Sequence, residues 1–327
     1  MWKYIARRLL YMIPTLIIIS IISFVLIQLP PGDFVTSYAV SLAESGQEVN
    51  EAMLLALRQR YGLGQAIYIQ YGKWIWGVIH GNFGMSFEWN QPVSRLIGAR
   101  FALTMVVSIS SLLFAWVVAL IIGIYSAVRQ YSIFDYTFTF VGFLGLSIPN
   151  FMFALILMYL SVKYFGTGVG GLFSPEYFDA AWSLEKVADL LKHLWIPVVV
   201  IGTAGTAGLM RIMRANLLDE MGKEYVKVAR AKGLKEYKII IKYPVRVAIN
   251  PLISGVAFIF PQIISGSAIT SIVLGLPTTG PLLLQALLSQ DMFLAGAFLL
   301  MLSVATVIGV LVSDILLAWS DPRIRYD

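Results

Sequence analysis

The distribution of formal charge limits this chain more than any other feature. Six stretches carry none: Leu9 to Gly32, Phe101 to Val128, Tyr136 to Val162, His193 to Met210, Val247 to Gln290 and Met292 to Ser313. A helix crosses the hydrocarbon core of a bilayer with about 20 apolar residues, because every backbone N–H and C=O must be bonded within the segment. Five of the runs suit one crossing each. The run from Val247 is 44 residues long. As one helix it would measure about 66 Å, roughly twice the distance required. It contains Gly275, Pro277, Gly280 and Pro281, which interrupt helices. It therefore divides into a span over about Ala248 to Ile272 and a Gly/Pro-rich loop. The expected fold class is all-α, a polytopic membrane protein with six transmembrane helices.

Composition excludes the alternatives. Hydrophobic residues make up 58% of the chain and charged residues 13%, about half the ~25% typical of soluble domains. The mean hydropathy is +0.79. There is no cysteine, hence no disulfide, thiolate metal site or thiol nucleophile. The two histidines, His80 and His193, are far apart in sequence, which argues against a His-rich metal site. The sequence has no G-x-x-x-x-G-K-[ST], no H-E-x-x-H and no G-x-S-x-G, so no phosphate loop, zinc-protease helix or nucleophile elbow is expected. No catalytic residue and no metal are assigned, and the chain is not expected to be an enzyme.

Orientation follows from Lys and Arg. With six spans both termini share a side. Lys3, Arg7, Arg8, Arg129, Arg323 and Arg325 lie there, and the 211–246 loop adds ten more basic residues. That side should be cytoplasmic. A cleaved signal peptide is the alternative for the first helix, but its apolar core runs past 20 residues with no small-residue cleavage site after it. The expected organisation is a tail and first span over 1–29, an extracytoplasmic segment over 30–100, and a five-helix core over 101–327 containing the cytoplasmic loop.

Within 30–100, Ile67, Tyr68, Tyr71, Ile75, Val78 and Ile79 recur at helical spacing beside Trp74 and Trp76. This reads equally as an amphipathic helix at the membrane interface or as part of a small extracellular subdomain. Asp314 is the one formal charge inside the spans, and its shallow depth favours a helix-end ion pair over a proton relay. Ser147, Pro149 and Asn150 in the third span, and Gln262, Ser265 and Ser267 in the fifth, are polar or helix-breaking. They must face protein or a cavity, so they are candidates to line a pathway or to bond between helices.

The segment 224–244 reads EYVKVARAKGLKEYKIIIKYP. The spacing predicts a helix before Gly233, a turn at that glycine, and a second short helix that Pro244 ends or kinks. Such a unit suits a knob entering a partner's groove, but spacing alone favours a solvated basic loop beside anionic headgroups.

This segment resembles the E-A-A-x-x-x-G loop of permease subunits of ABC importers, with Glu224, Val228 or Ala229, and Gly233 in the motif region. EYVKVARAKGL is more similar still to the dipeptide/oligopeptide/nickel permease family. So are MWKYIARRLLYMIPTL at the start, LPPGD at 29–33, GNFGMSF at 81–87, PV at 92–93, GLSIP at 145–149 and DPRIR at 321–325. After the fifth span the family's L-P-G-L-G is replaced, with Thr278, Thr279 and Pro281 at the departure.

The resemblance implies a type I ABC importer permease fold in the plasma membrane of a prokaryote. It also implies a homologous second permease, two cytoplasmic ATPase subunits and an external solute-binding protein. Lipid is the remaining partner, and no nucleic acid is expected. ATP and Mg would be bound by the ATPase subunits, leaving this chain without a cofactor. Glu224, Ala229, Ala231, Gly233 and Leu234 would carry the docking contact, with Lys227, Arg230 and Lys232 steering it. The implied cargo is a small peptide, with oligosaccharides as the runner-up. A secondary transporter or an intramembrane enzyme would be the rivals from other classes. The first should show coupling-ion sites at the midplane, and the second a nucleophile–base pair or a metal ligand set.

Overall fold

The computed structural model describes residues 2–29, 32–46, 50–166, 170–255 and 268–320. Among these the regular structure is helical, apart from one isolated antiparallel bridge between Met85 and Pro92. In chain order the helices are α1 (Trp2–Gln28), α2 (Phe34–Glu44), α3 (Glu51–Tyr61), α4 (Ile67–Ile79), α5 (Val93–Val128), α6 (Ile133–Ser147) and α7 (Asn150–Phe165). They continue as α8 (Leu184–Met221), α9 (Glu224–Ala231), α10 (Glu236–Lys242), α11 (Pro244–Ala248), α12 (Ala268–Val273), α13 (Thr279–Leu288) and α14 (Met292–Ser320).

Three of these, α5, α8 and α14, are long and apolar enough to cross a membrane, and α6 with α7 makes a fourth if the bent pair is one span. The apolar stretch Leu10–Leu26 of α1 is shorter. About half of the expected span 248–272, residues 256–267, lies outside the described residues. The described residues therefore account for three or four of the six expected crossings.

Two expected boundaries change. The third run is not one continuous helix. It bends by 105° between α6 and α7, where Ile148 leaves helical geometry at φ −86°, ψ 123°. The cause is Pro149, whose ring pushes the residue before it out of the α region. The fourth run, in contrast, is only the middle of a helix. α8 has 38 residues, about 57 Å of helix at about 1.5 Å per residue. Its first turn is capped by the Ser183 side chain, which accepts from Lys186 N. Its last turns carry Arg211 and Arg214 beyond the apolar stretch.

The chain divides into two compact units, Met1–Leu103 with Thr278–Ala305, and Thr104–Pro277 with Thr306–Asp327. In the first unit α4 packs on α1. Phe24 lies 5.5 Å from Tyr71 and 5.6 Å from Trp74, ring centre to ring centre, and Ser20 Oγ and Tyr71 Oη share a 2.8 Å hydrogen bond. Tyr71, Ile75 and Val78 join this cluster, whereas Ile67, Tyr68, Trp76 and Ile79 are exposed. The helix is thus apolar on two faces, one packed inside the unit and one presented outward.

In the second unit α8 packs against α6, α7 and α11. Small residues allow the close approach. A methyl placed on Gly145 would meet Thr203 at 3.1 Å, and one on Gly123 would meet Met213 at 2.9 Å. A buried ion pair adds direction. Arg214 Nη2 of α8 donates to Asp135 Oδ2 of α6 at 3.0 Å, and the same oxygen accepts from Tyr131 N.

Candidate functional site

The segment 224–248 folds as three short helices around Gly233. None is long enough to persist alone in water, so their packing must come from side chains. Val226 and Ala229, three residues apart on α9, close on Ile239 of α10, with Tyr225 and Tyr243 at the edge. Val226 and Ile239 have no exposed surface. Gly233 sits at φ +72°, a left-handed conformation that glycine adopts without steric cost. Pro244 opens α11, where its missing N–H is no loss.

The unit is joined to the long helix. Ala248 and Leu252 share a core with Met213 and Leu217 of α8 and with Ala127 of α5, and Met221 and Val245 pack against it. Tyr225 Oη donates to Glu220 Oε2 at 2.5 Å. The inner side of the turn is thus continuous with the bundle. On its outside Val228, Leu234, Tyr237 and Ile241 are exposed.

The residues expected to dock divide by burial. Glu224, Lys227, Arg230, Ala231, Lys232, Gly233 and Leu234 are exposed. Ala229 is buried in the small core and is not available at the surface. The cations expected to steer are partly engaged already. Lys227 Nζ is 2.8 Å from Glu224 Oε1, and Arg230 is bound to Glu236. The hydrogen bond from Arg230 holds the Glu236 carboxyl below its ordinary range, while slight burial pulls the other way.

Of the pathway candidates, Ser147 turns its hydroxyl back to Phe143 O at 2.8 Å, Pro149 is exposed and Asn150 opens α7. Gln262, Ser265 and Ser267 lie outside the described residues. Thr278 and Thr279, at the departure in the loop after the fifth run, are buried at the start of α13.

Residues 119–326 match the family model of the binding-protein-dependent transport system inner membrane component, and residues 1–109 match the N-terminal model of the same membrane component. The chain belongs to this family. It is a multi-pass membrane transport component. It is 36% identical over 330 residues to the oligopeptide transport system permease protein AppB of Bacillus subtilis, covering 100% of both chains. It is 31% identical to the dipeptide transport system permease protein DppB of Escherichia coli, covering 100% of this chain and 99% of that one.

With the family established, the GNFGMSF segment of this transport component acquires a physical reason that its sequence does not show. Asp291, fully buried, gathers it. Its Oδ2 accepts from Ser86 Oγ at 2.5 Å, Phe87 N at 2.8 Å and Glu88 N at 3.2 Å, while its Oδ1 accepts from Leu294 N at 3.1 Å and caps α14. Burial raises the Asp291 carboxyl above its ordinary range, and these hydrogen bonds draw it partly back. An acid directly before an apolar run is an N-cap signal; nothing local indicates its contact with residue 86.

Proposed function

We propose that this chain is the membrane-spanning permease subunit of an ATP-driven ABC importer of peptides, docking to a cytoplasmic ATPase subunit through the Gly233 turn. The observation that carries the docking reading is the two-sided build of that turn. Its inner face packs α9 on α10, in a unit that α11 joins to α8, and its outer side chains Val228, Leu234, Tyr237 and Ile241 are exposed. A solvated basic loop needs neither. Peptide cargo is supported by the oligopeptide and dipeptide transport systems to which the relatives belong.

The mechanism follows from the connections. ATP and Mg bind in the partner subunits, which close on them and carry the turn along. Because α9 to α11 share cores with one another and with α8, the turn cannot shift alone. Displacement passes into α8 and along its length to α6 and α7, whose 105° bend lies beside Thr203 and Ala207 through Gly145 and Gly142. Rigid-body rocking of such packed helices alternates access from one side to the other. Six spans, cytoplasmic termini, a second homologous permease and an external binding protein complete the reading. The 30–100 segment would then meet incoming solute on the outer side.

The test is uptake of a labelled peptide into proteoliposomes holding this chain, the second permease, both ATPase subunits and the binding protein. Uptake should require internal ATP and all components. Uptake that persists without the ATPase subunits and follows an ion gradient would make the chain a secondary transporter.

A further inference from the structure

The Gly233 turn carries a contact that docking alone does not require. Arg230, in the last turn of α9, donates from Nε to both oxygens of Glu236 at 3.1 Å and from Nη2 to Oε1 at 2.5 Å. Glu236 is the first residue of α10. The contact therefore bridges the two helices across the residues that make the turn. Other support there is slight: Gly233 N donates to Arg230 O at 2.9 Å and Lys232 N to Val228 O at 3.1 Å, and the shared core is the small one around Ile239.

A guanidinium is planar and its donors are fixed in a fork, so bonds to both carboxylate oxygens set an angle as well as a distance. The side chains are 44% and 52% exposed, and an exposed pair adds little to stability. Its effect is on shape. It fixes how α9 and α10 meet, and thereby how Leu234 and Tyr237 are presented. It also occupies Arg230, which is then less available for an acidic group on a partner.

We propose that Glu236 is a positioning residue for coupling: with Arg230 it clasps the turn into its docking shape before the ATPase subunit arrives. This rests on the docking reading above. A preformed turn loses less conformational freedom on binding than one that must order there. The Arg230 hydrogen bond holds the Glu236 carboxyl below its ordinary value of 4.5. The clasp is therefore intact at neutral pH and opens only as pH falls through that lowered value.

The experiment measures uptake per ATP hydrolysed in the reconstituted complex for Glu236→Gln, Arg230→Lys and the exchanged pair Arg230→Glu with Glu236→Arg. Glu236→Gln removes the anion, and Arg230→Lys keeps the charge without the fork. Each should lower coupling by roughly threefold to fivefold, in keeping with a pair of modest energy. The exchanged pair should recover most of the loss, and the ATPase subunits should still copurify with all three. Wild-type coupling in Glu236→Gln would overturn the clasp. So would an exchanged pair worse than either single variant, since Arg230 would then be meeting the partner directly. Leu234→Asp in the same system separates the two readings. If it releases the ATPase subunits while Glu236→Gln behaves as wild type, docking stands and the clasp fails. If it leaves both capture and coupling intact, the docking reading itself fails.

Discussion

Two glycine turns carry the sequence signatures of this chain, and they are built in opposite ways. The segment around Gly84 is held by a buried carboxylate, with Asp291 accepting from Ser86, Phe87 and Glu88. The turn at Gly233 is held by an exposed ion pair and a core of a few side chains. Both glycines have positive φ, +86° and +72°. A methyl on Gly84 would meet the Phe293 ring at 3.0 Å, whereas one on Gly233 would meet nothing within 4 Å. At Gly84 both backbone and packing exclude a side chain. At Gly233 only the backbone does, and the space outside is open to a partner. One signature therefore maintains a fold, and the other leaves room for a contact the chain does not make with itself.

The largest effect is expected at Asp291. Asp291→Ala leaves the buried donors of Ser86 and Phe87, and the part-buried N–H of Glu88, without this acceptor, and should cost about 3 kcal/mol or more. Thermal unfolding of the purified subunit in detergent would show it, and Asp291→Asn should recover part of the loss. Because burial raises this carboxyl, its contribution is fully present below the ordinary carboxylate pKa and declines as pH rises through the raised value. The melting temperature of the wild-type subunit should therefore fall more steeply over that window than that of Asp291→Asn.

The two glycines come next. Gly84→Ala should destabilise the subunit by about 2 kcal/mol, from left-handed strain together with displacement of Phe293. Gly233→Ala should cost about 1 kcal/mol, from strain alone. Gly233→Val, with a β-branched side chain at positive φ, should insert and assemble into the membrane normally yet uncouple hydrolysis from uptake. Equal unfolding temperatures for the two alanine variants would remove the contrast. The smallest effect belongs to the exposed pair beside the turn: Lys227→Ala should change stability by under ~0.5 kcal/mol, with uptake near wild type.

The sequence reveals these parts unequally, for physical reasons. Charge-free runs mark where a helix meets lipid, not where it ends. That is why α8 continues past Met210 into Arg211, which is exposed, and Arg214, which pairs with Asp135. Pro149 is visible in the sequence, but whether a proline kinks a span or breaks it depends on what packs around it. The Gly233 turn is legible because its determinants are local: Val226 and Ala229 at helical spacing, a glycine, then Pro244. Asp291 and Ser86 are 205 residues apart, and Asp135 and Arg214 are 79 apart. Such pairings exist only after folding. The Arg230–Glu236 contact lies between: opposite charges six apart carry no helix-face meaning, and acquire one only once the turn between them is drawn.

Docking of the Gly233 turn to an ATPase subunit can be read directly by cross-linking. The native chain has no cysteine, so a single cysteine at Leu234, exposed beside the glycine, reports its neighbour without background. In membranes containing the full set of subunits, a short bifunctional maleimide cross-linker should join Leu234→Cys to an ATPase subunit carrying a surface cysteine at its permease-facing groove. The yield should change between the nucleotide-free state and one trapped with ATP. If Leu234→Cys instead reacts only with lipid-soluble reagents and forms no cross-link in either state, the turn lies on the membrane surface and does not dock to the ATPase subunit.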